Sequence, residues 1–137
     1  MTELRTALPP ITLTSADADR LERLVTAAEA TFPRIADFLA RELGRATLVE
    51  PDARPAGVVA MGSKVTFRDD ATAEERTLTL VYPDQANLEA GKISVLSPIG
   101  AALLGLSAGQ SIEWQTPAGG QRSLTVLKAD GVGGFGG

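Results

Sequence analysis

The most informative segment of this chain is GKISVLSPIGAALLG, residues 91–105. Ser97 offers a side-chain oxygen as a helix N-cap, and Pro98 suits the first helical position because its missing N–H needs no partner there. Gly105 ends the apolar run and is a natural helix stop. The segment therefore predicts a short helix, and its nearly complete lack of polar residues indicates that it packs on one face of a sheet.

Outside this helix, the second half of the chain alternates between apolar and polar residues. Val65 and Phe67 show the pattern, since each lies between polar neighbours. A period of two is typical of strands with one buried face, so these segments predict an antiparallel sheet. The predicted strands are residues 64–68, 77–82, 111–115 and 123–126, with a polar loop at 69–75 and a turn at 117–120.

The first half of the chain has helical spacing instead. A capping-box pattern, with Thr14 as N-cap and Asp17 three residues later, starts one helix, and Pro33 suits the first turn of the next. Two amphipathic helices with a short connector predict an antiparallel helical hairpin, a short coiled coil. The predicted apolar faces are Leu21, Leu24, Val25 and Ala28, and then Ile35, Phe38, Leu39, Leu43 and Ala46, interrupted by Glu42.

The change of period marks the organisation of the chain. Residues 51–55 contain two prolines and are the best linker candidate. We expect a helical hairpin at residues 1–50 and a sheet with one packed helix at 51–130, which is an α+β fold. The many glycines of residues 131–137 predict a flexible tail.

The composition argues against an enzyme. The chain has no cysteine and no histidine, which excludes a Ser-His-Asp triad, a cysteine nucleophile and the ordinary zinc sites. We therefore assign no catalytic residue, no metal ligand and no cofactor. The net charge of −4 disfavours direct nucleic-acid binding. No apolar run is long enough for a bilayer and the N-terminus lacks a signal-peptide pattern, so we expect no membrane association and a cytoplasmic protein.

The predicted loop at residues 69–75 carries four carboxylates, those of Asp69, Asp70, Glu74 and Glu75. Such a cluster can bind a cation. Like charges without fixed geometry repel one another, however, and a solvated hairpin loop is the favoured interpretation. A role in repelling wrong partners stays open.

Residues 58–128 resemble the C-terminal domain of the Gre transcript-cleavage factors. The resemblance rests on MGSKV at 61–65, LVYP at 80–83, the segment at 91–105, and AGQS at 108–111 followed by a strand. It implies a fold like that of the FK506-binding proteins (FKBP-like), in which an antiparallel sheet wraps around a helix. The order of the predicted elements agrees with that fold.

Residues 11–128 are still more similar to the Rnk family, regulators of nucleoside diphosphate kinase, with LVYP at 80–83 and AALLGL at 101–106 as close stretches. This family joins the same C-terminal domain to a shortened helical hairpin. The resemblance implies a monomeric, non-catalytic transcription regulator that binds bacterial RNA polymerase near its secondary channel and competes with Gre-type factors. Effects on nucleoside diphosphate kinase would then be indirect.

The resemblance also implies where polymerase is contacted. In Gre factors, the loop before the packed helix touches a coiled coil of the large β′ polymerase subunit. The matching positions here are Leu96, Ser97, Pro98 and Ile99. Gre factors often have an acidic residue where this chain has Leu96, so the contact is expected to be more apolar here, provided that Leu96 is exposed.

The predicted hairpin tip contains Glu29, Thr31, Phe32 and Arg34. Gre factors carry acidic residues at the tip of a longer coiled coil, where they help to hold a magnesium ion. Here the tip has only Glu29, and the next acid, Asp37, lies one turn into the second helix, which favours a solvated acid over a metal ligand. Phe32 either packs back onto the hairpin or forms an exposed contact, and packing is favoured.

Two alternatives stay open. One is a transcript-cleavage elongation factor that acts through acidic hairpin residues, which the missing acidic pair disfavours. The other is an FKBP-type prolyl isomerase, which needs a deep apolar pocket lined by aromatic residues. The aromatic residues of the predicted sheet are few, and their strand positions place Phe67, Tyr82 and Trp114 in the core.

Overall fold

The computed structural model describes residues 9–115 and 120–132 of the chain. Within these ranges the fold is α+β, with a helical N-terminal part followed by a five-stranded sheet and one short packed helix. The helices are α1 (Ser15–Ala28), α2 (Pro33–Arg45) and α3 (Pro98–Leu103). The strands are β1 (Thr12–Thr14), β2 (Thr47–Val49), β3 (Ser63–Asp69), β4 (Glu75–Val81), β5 (Lys92–Ser94), β6 (Ser111–Gln115) and β7 (Gln121–Val132).

Helix α1 starts as the sequence predicts, but only half of the predicted capping box forms. The Thr14 hydroxyl oxygen accepts a hydrogen bond from the Asp17 backbone N–H at 3.1 Å. The Asp17 carboxylate accepts instead from the backbone N–H of Met61, at 3.3 Å. Because Met61 lies just before the sheet, this carboxylate attaches the start of the hairpin to the second half of the chain.

Helix α2 begins at Pro33, as predicted, and buries a charged residue. Its most buried side chains are those of Ala36, Leu39 and Glu42, whereas Ile35 is only partly buried. A carboxylate is stable in such a place when a cation pairs with it. Arg45 supplies that cation: its Nη2 lies 2.8 Å from Oε1 of Glu42, and its Nε lies 3.0 Å from Oε2.

A small parallel sheet, which the sequence did not predict, joins β1 to β2 and pairs Leu13 with Leu48. The backbone N–H of Thr12 also donates to the carbonyl of Gly105 at 3.1 Å. Gly105 has a φ of +80°, and a Cβ placed there would lie 2.8 Å from the Cβ of Ile11. Glycine is therefore required at the end of the α3 segment both for its backbone conformation and for the close approach of β1.

The larger sheet has the strand order β5-β4-β3-β7-β6. Its β3–β4, β3–β7 and β6–β7 pairs are antiparallel, as predicted. The exception to an antiparallel sheet is β5, which the sequence did not predict and which runs parallel to β4 at one edge, with Ile93 opposite Leu80. The reason is the connection at residues 82–91, which contains two short 3₁₀ turns and returns the chain to the same direction.

One cluster of buried apolar side chains runs through both halves of the chain. It includes Leu21 and Leu39 from the hairpin, Phe67 and Leu80 from the sheet, and Leu103 from α3, which packs on the sheet as predicted. The segment at residues 51–55 therefore does not separate two cores. It carries a short 3₁₀ turn, and the division of the chain at residue 50 stays a prediction.

Several predicted features fall at the edges of the described ranges. Strand β7 continues through Val132, which pairs with Ser63, so the strand extends into the segment predicted as a flexible tail. The remainder of that tail, residues 133–137, lies outside the described residues, as do residues 1–8 and most of the predicted turn at 117–120. In the described part of the chain, every helix is too short or too polar to cross a membrane.

Candidate partner-binding surfaces

The loop that precedes α3, here called the Ser-Pro loop (residues 94–100), is held by its own hydrogen bonds. The Ser97 hydroxyl accepts from the Gly100 N–H at 3.0 Å and donates to the Ser94 carbonyl at 2.7 Å. The Ser94 hydroxyl in turn accepts from the Leu96 N–H at 2.9 Å. The predicted N-cap is therefore confirmed, and the same serine also ties the loop to the end of β5.

Gly100 is a position required for the shape of the Ser-Pro loop that the sequence reasoning missed. A Cβ at this residue would lie 2.1 Å from the Ser94 carbonyl oxygen, far inside any van der Waals contact. Its N–H also donates to the Ser97 hydroxyl. The glycine two residues after the proline was the available signal, because helix interiors disfavour glycine unless another group approaches closely.

The four predicted polymerase-contact residues differ in exposure. Pro98 is exposed, and Ser97 is partly buried. Leu96 and Ile99 are also partly buried and pack against the core cluster. Leu96 is therefore not exposed as a direct apolar contact would require, and it packs between the loop and the core. Pro98 is the most exposed of the four residues.

The hairpin tip presents all four of its predicted residues to solvent: Glu29, Thr31, Phe32 and Arg34. The prediction that Phe32 packs back is wrong, since the side chain is 51% exposed. Phe32 is itself the N-cap of α2, whereas a hydrophobic staple needs an apolar residue one position earlier, where this chain has Thr31. The phenyl ring is consequently free to contact another surface.

The acids near the tip do not converge. Asp37, the acid nearest to Glu29 on α2, forms an exposed ion pair with Arg41 at 2.9 Å. Across the part of the chain that the structure describes, no group of three or more Asp, Glu, His or Cys residues is arranged to hold a metal ion. Magnesium requires several oxygen ligands around one point, and the tip supplies Glu29 alone.

The acidic loop between β3 and β4 is ordered by hydrogen bonds more than the sequence suggested. Asp69 pairs with Arg122 at 2.6 Å, and this contact lowers the pKa of its carboxyl. Asp70 accepts from the Ser123 hydroxyl at 2.6 Å, which lowers its pKa in the same way, and it also pairs with Arg68. These two carboxylates are thus engaged within the sheet. Glu74 and Glu75 are exposed, as expected for a solvated loop.

Tyr82 lies at the junction of the hairpin and the sheet. Strand β4 ends at Val81, so Tyr82 lies one residue beyond the strand that was predicted to include it, and its half-buried side chain packs against the core cluster without being fully inside it. The guanidinium carbon of Arg20 lies 4.0 Å from its ring centroid. The hydroxyl is buried without a hydrogen-bond partner, and burial raises its pKa to about 12.

Phe67 is buried in the core cluster, as predicted, and the side chain of Trp114 lies outside the described part.

Comparisons with known proteins agree with this arrangement of a short hairpin and a sheet. The family described as "Rnk N-terminus" matches residues 9–49, and the family described as "Transcription elongation factor, GreA/GreB, C-term" matches residues 54–130. The regulator of nucleoside diphosphate kinase of Escherichia coli (strain K12) is 40% identical over 122 residues, which are 89% of this chain and 90% of that protein. The chain belongs to the Rnk family.

The Gre relationship of this Rnk-family chain extends to solved structures. A prokaryotic transcription elongation factor GreA/GreB from Nitrosomonas europaea has a TM-score of 0.71 and 44% identity, covering 90% of this chain and 99% of that one. Transcription elongation factor GreA of Syntrophobacter fumaroxidans (strain DSM 10017 / MPOB) is 40% identical over 95 residues, 69% of this chain and 60% of that protein. These relatives are named as regulators or transcription factors.

Proposed function

We propose that this chain is a non-catalytic transcription regulator that binds bacterial RNA polymerase through its Ser-Pro loop. The observation that carries the proposal is the geometry of that loop. Pro98 is exposed at the start of α3, while the hydrogen bonds of Ser97 and the packing of Leu96 and Ile99 hold the backbone beneath it. A surface that is rigid before binding loses little conformational entropy when a partner docks.

The proposed partner surface is the coiled coil of the β′ subunit, by similarity to Gre factors. An exposed proline flanked by partly buried apolar residues suits the side of a helix, where a shallow apolar contact needs no charged complement. The five-stranded sheet with α3 packed on it supports the finer assignment of the C-terminal part, residues 51–130, as an FKBP-like docking unit.

The hairpin, within residues 1–50, would then act by occupying space near the secondary channel. Helix α1 has 14 residues and α2 has 13. At a rise of 1.5 Å per residue, each helix is about 20 Å long. We propose that this short antiparallel arm lies over the entrance without reaching the catalytic metal, and that it competes with Gre-type factors for the same position.

The non-catalytic part of the proposal rests on the tip. Transcript cleavage would require a second carboxylate beside Glu29, but Asp37 is paired with Arg41 on the face of α2. A prolyl isomerase would require an aromatic pocket, but Phe67 is in the core and one face of the Tyr82 ring is covered by Arg20. Neither alternative has an observation in its favour. Effects on nucleoside diphosphate kinase would follow indirectly from transcription in the cytoplasm.

The test is binding to core RNA polymerase by the full chain and by Pro98→Glu. Pro98 is exposed, and an acid in the first turn of a helix is compatible with the helix dipole, so the fold should survive. Loss of a central interface contact typically weakens binding by about tenfold or more. The matched control is Pro55→Glu, at an exposed proline outside the loop, which should bind like the wild type.

Two further arms address competition and catalysis. A Gre factor in excess should displace the wild-type chain from polymerase, and backtracked complexes should show no transcript cleavage with the chain alone. If folded Pro98→Glu binds as tightly as Pro55→Glu, the Ser-Pro loop is not the docking site. Cleavage that disappears in Glu29→Gln would instead establish the elongation-factor alternative. Sedimentation of the free chain tests the expected monomer.

A further inference from the structure

A cleft opens between helix α1 and the turn after β4, and none of the proposed docking residues lines it. Its volume is about 420 Å³. Helix α1 supplies one wall and the turn after β4 supplies the other. The lining residues are Arg20, Arg23, Leu24, Tyr82, Pro83 and Asp84.

The two arginines of this cleft lie close together on one helix. Arg20 and Arg23 are one helical turn apart on α1, so their side chains lie on neighbouring positions of one face. Among the described residues, neither guanidinium forms an ion pair with a carboxylate, although the chain carries a net charge of −4. The lining itself carries these two arginines and one acid, Asp84, and the carboxylate of Asp17 lies close enough to Arg20 to offset part of its charge.

We propose that this cleft binds a small phosphate-bearing anion, of the size of a diphosphate or a nucleoside diphosphate, between Arg20 and Arg23. The cleft is open to solvent, and its volume of about 420 Å³ leaves room for such an anion without enclosing it. Planar guanidinium groups match phosphate oxygens in a two-pronged geometry, and two adjacent arginines suit a ligand with more than one phosphate. Leu24 and Pro83 supply apolar walls for the rest of such a ligand.

Tyr82 positions one of the two arginines. Its ring lies under Arg20 at 4.0 Å, a cation–π contact that limits the movement of the guanidinium before a ligand arrives. The hydroxyl is buried, so it does not reach the ligand. Tyr82→Phe should therefore leave anion binding unchanged, whereas Tyr82→Leu should weaken it. A direct role for the hydroxyl would make these two variants equal.

The two walls of the cleft would play different parts in binding. Both arginines lie on α1, so α1 would hold the anion, and the turn at residues 82–84 would face it from the other side. The site does not depend on polymerase. Its test uses the free chain, and failure of this proposal would leave the docking proposal standing.

The experiment is calorimetric titration of the full chain with inorganic pyrophosphate, inorganic phosphate and adenosine diphosphate. Pyrophosphate should bind more tightly than phosphate, and Arg23→Gln should weaken pyrophosphate binding by about tenfold, the loss expected for one charge-assisted hydrogen-bonded contact. Arg20→Gln should act similarly. Arg76→Gln, at an exposed arginine on β4 outside the cleft, is the matched control and should change nothing. Asp84→Asn removes the nearby negative charge and should strengthen binding.

A second readout locates the ligand. Pyrophosphate should shift backbone amide resonances at residues 20–24 and 82–84 and leave those of the sheet strands unchanged. A titration with single-stranded RNA distinguishes a small free phosphate ester from a nucleic-acid backbone as the ligand. RNA that binds more tightly than adenosine diphosphate would overturn the small-ligand assignment. Absence of saturable binding at millimolar pyrophosphate, or equal loss in Arg23→Gln and Arg76→Gln, would overturn the site.

Discussion

The pair formed by Glu42 and Arg45 on α2 provides a quantitative test of how the hairpin is held. The side chain of Glu42 is 2% exposed and that of Arg45 is 25% exposed. Two hydrogen bonds join them, at 2.8 and 3.0 Å, and Nη1 of Arg45 also donates to the Pro9 carbonyl. One guanidinium thus neutralises a buried carboxylate and connects the end of α2 to the segment before β1.

Replacing each partner should have an unequal effect. Arg45→Met leaves the Glu42 carboxylate buried without its cation, which typically costs about 3–5 kcal/mol, and the partial exposure of Arg45 places the expected loss at about 3 kcal/mol. Glu42→Leu should cost only about 1–2 kcal/mol, because Arg45 still reaches water and the Pro9 carbonyl. The double variant should lie within about 1 kcal/mol of the wild type, since an apolar pair of similar volume often replaces a buried ion pair without loss.

The assay is urea unfolding followed by circular dichroism, with the free energy of unfolding extrapolated at constant m-value. The control is Arg41→Met, because the pair of Arg41 and Asp37 lies on the same helix but its side chains are 77% and 62% exposed. That variant should lose less than about 1 kcal/mol. The reasoning is refuted if Arg45→Met costs no more than Arg41→Met, or if adding Glu42→Leu does not recover the stability lost in Arg45→Met.

Two further predictions concern the Ser-Pro loop and acid stability. Gly100→Ala places a Cβ 2.1 Å from the Ser94 carbonyl oxygen and should lower the free energy of unfolding by about 1–3 kcal/mol. The control Gly44→Ala has open space around the new Cβ and should not destabilise the chain, and thermal unfolding compares the two variants. Burial raises the pKa of Asp17, so its contribution to the free energy of unfolding is full below the unfolded pKa of about 4 and is lost as pH rises through the folded pKa. The hydrogen bond from Ser123 lowers the pKa of Asp70, so its contribution to the free energy of unfolding is present above about pH 4 and is lost as pH falls through the folded pKa. In urea titrations across pH, Asp17→Asn should therefore reduce the decline of stability above about pH 4, and Asp70→Asn should reduce the decline below it; the same slope change in both variants would contradict these assignments.

The candidate site shows where sequence reasoning reaches its limit. The Ser97 N-cap was predictable because both partners lie within three residues of each other. The exposure of Pro98 and the partial burial of Leu96 were not predictable, because they depend on which side of the loop faces the core. Phe32 was predicted to pack, but its position relative to the start of α2 leaves it exposed. The cleft around Tyr82 could not be predicted from the sequence, since its two walls are about 60 residues apart in the chain.

The sequence by itself determined the helices α1, α2 and α3, the strands β3, β4, β6 and β7, and the family, because periodicity, caps and turn residues act over a few neighbouring positions. Tertiary structure alone decided the partners of residues with more than one option. The Asp17 carboxylate could accept a hydrogen bond either from the start of its own helix or from a distant N–H, and packing placed the Met61 N–H beside it. Likewise β5 pairs in parallel with β4, and Gly105 packs closely against Ile11. Both contacts form because the burial of one continuous core places these segments side by side. Local rules cannot choose between distant partners, since that choice depends on the burial of the whole chain.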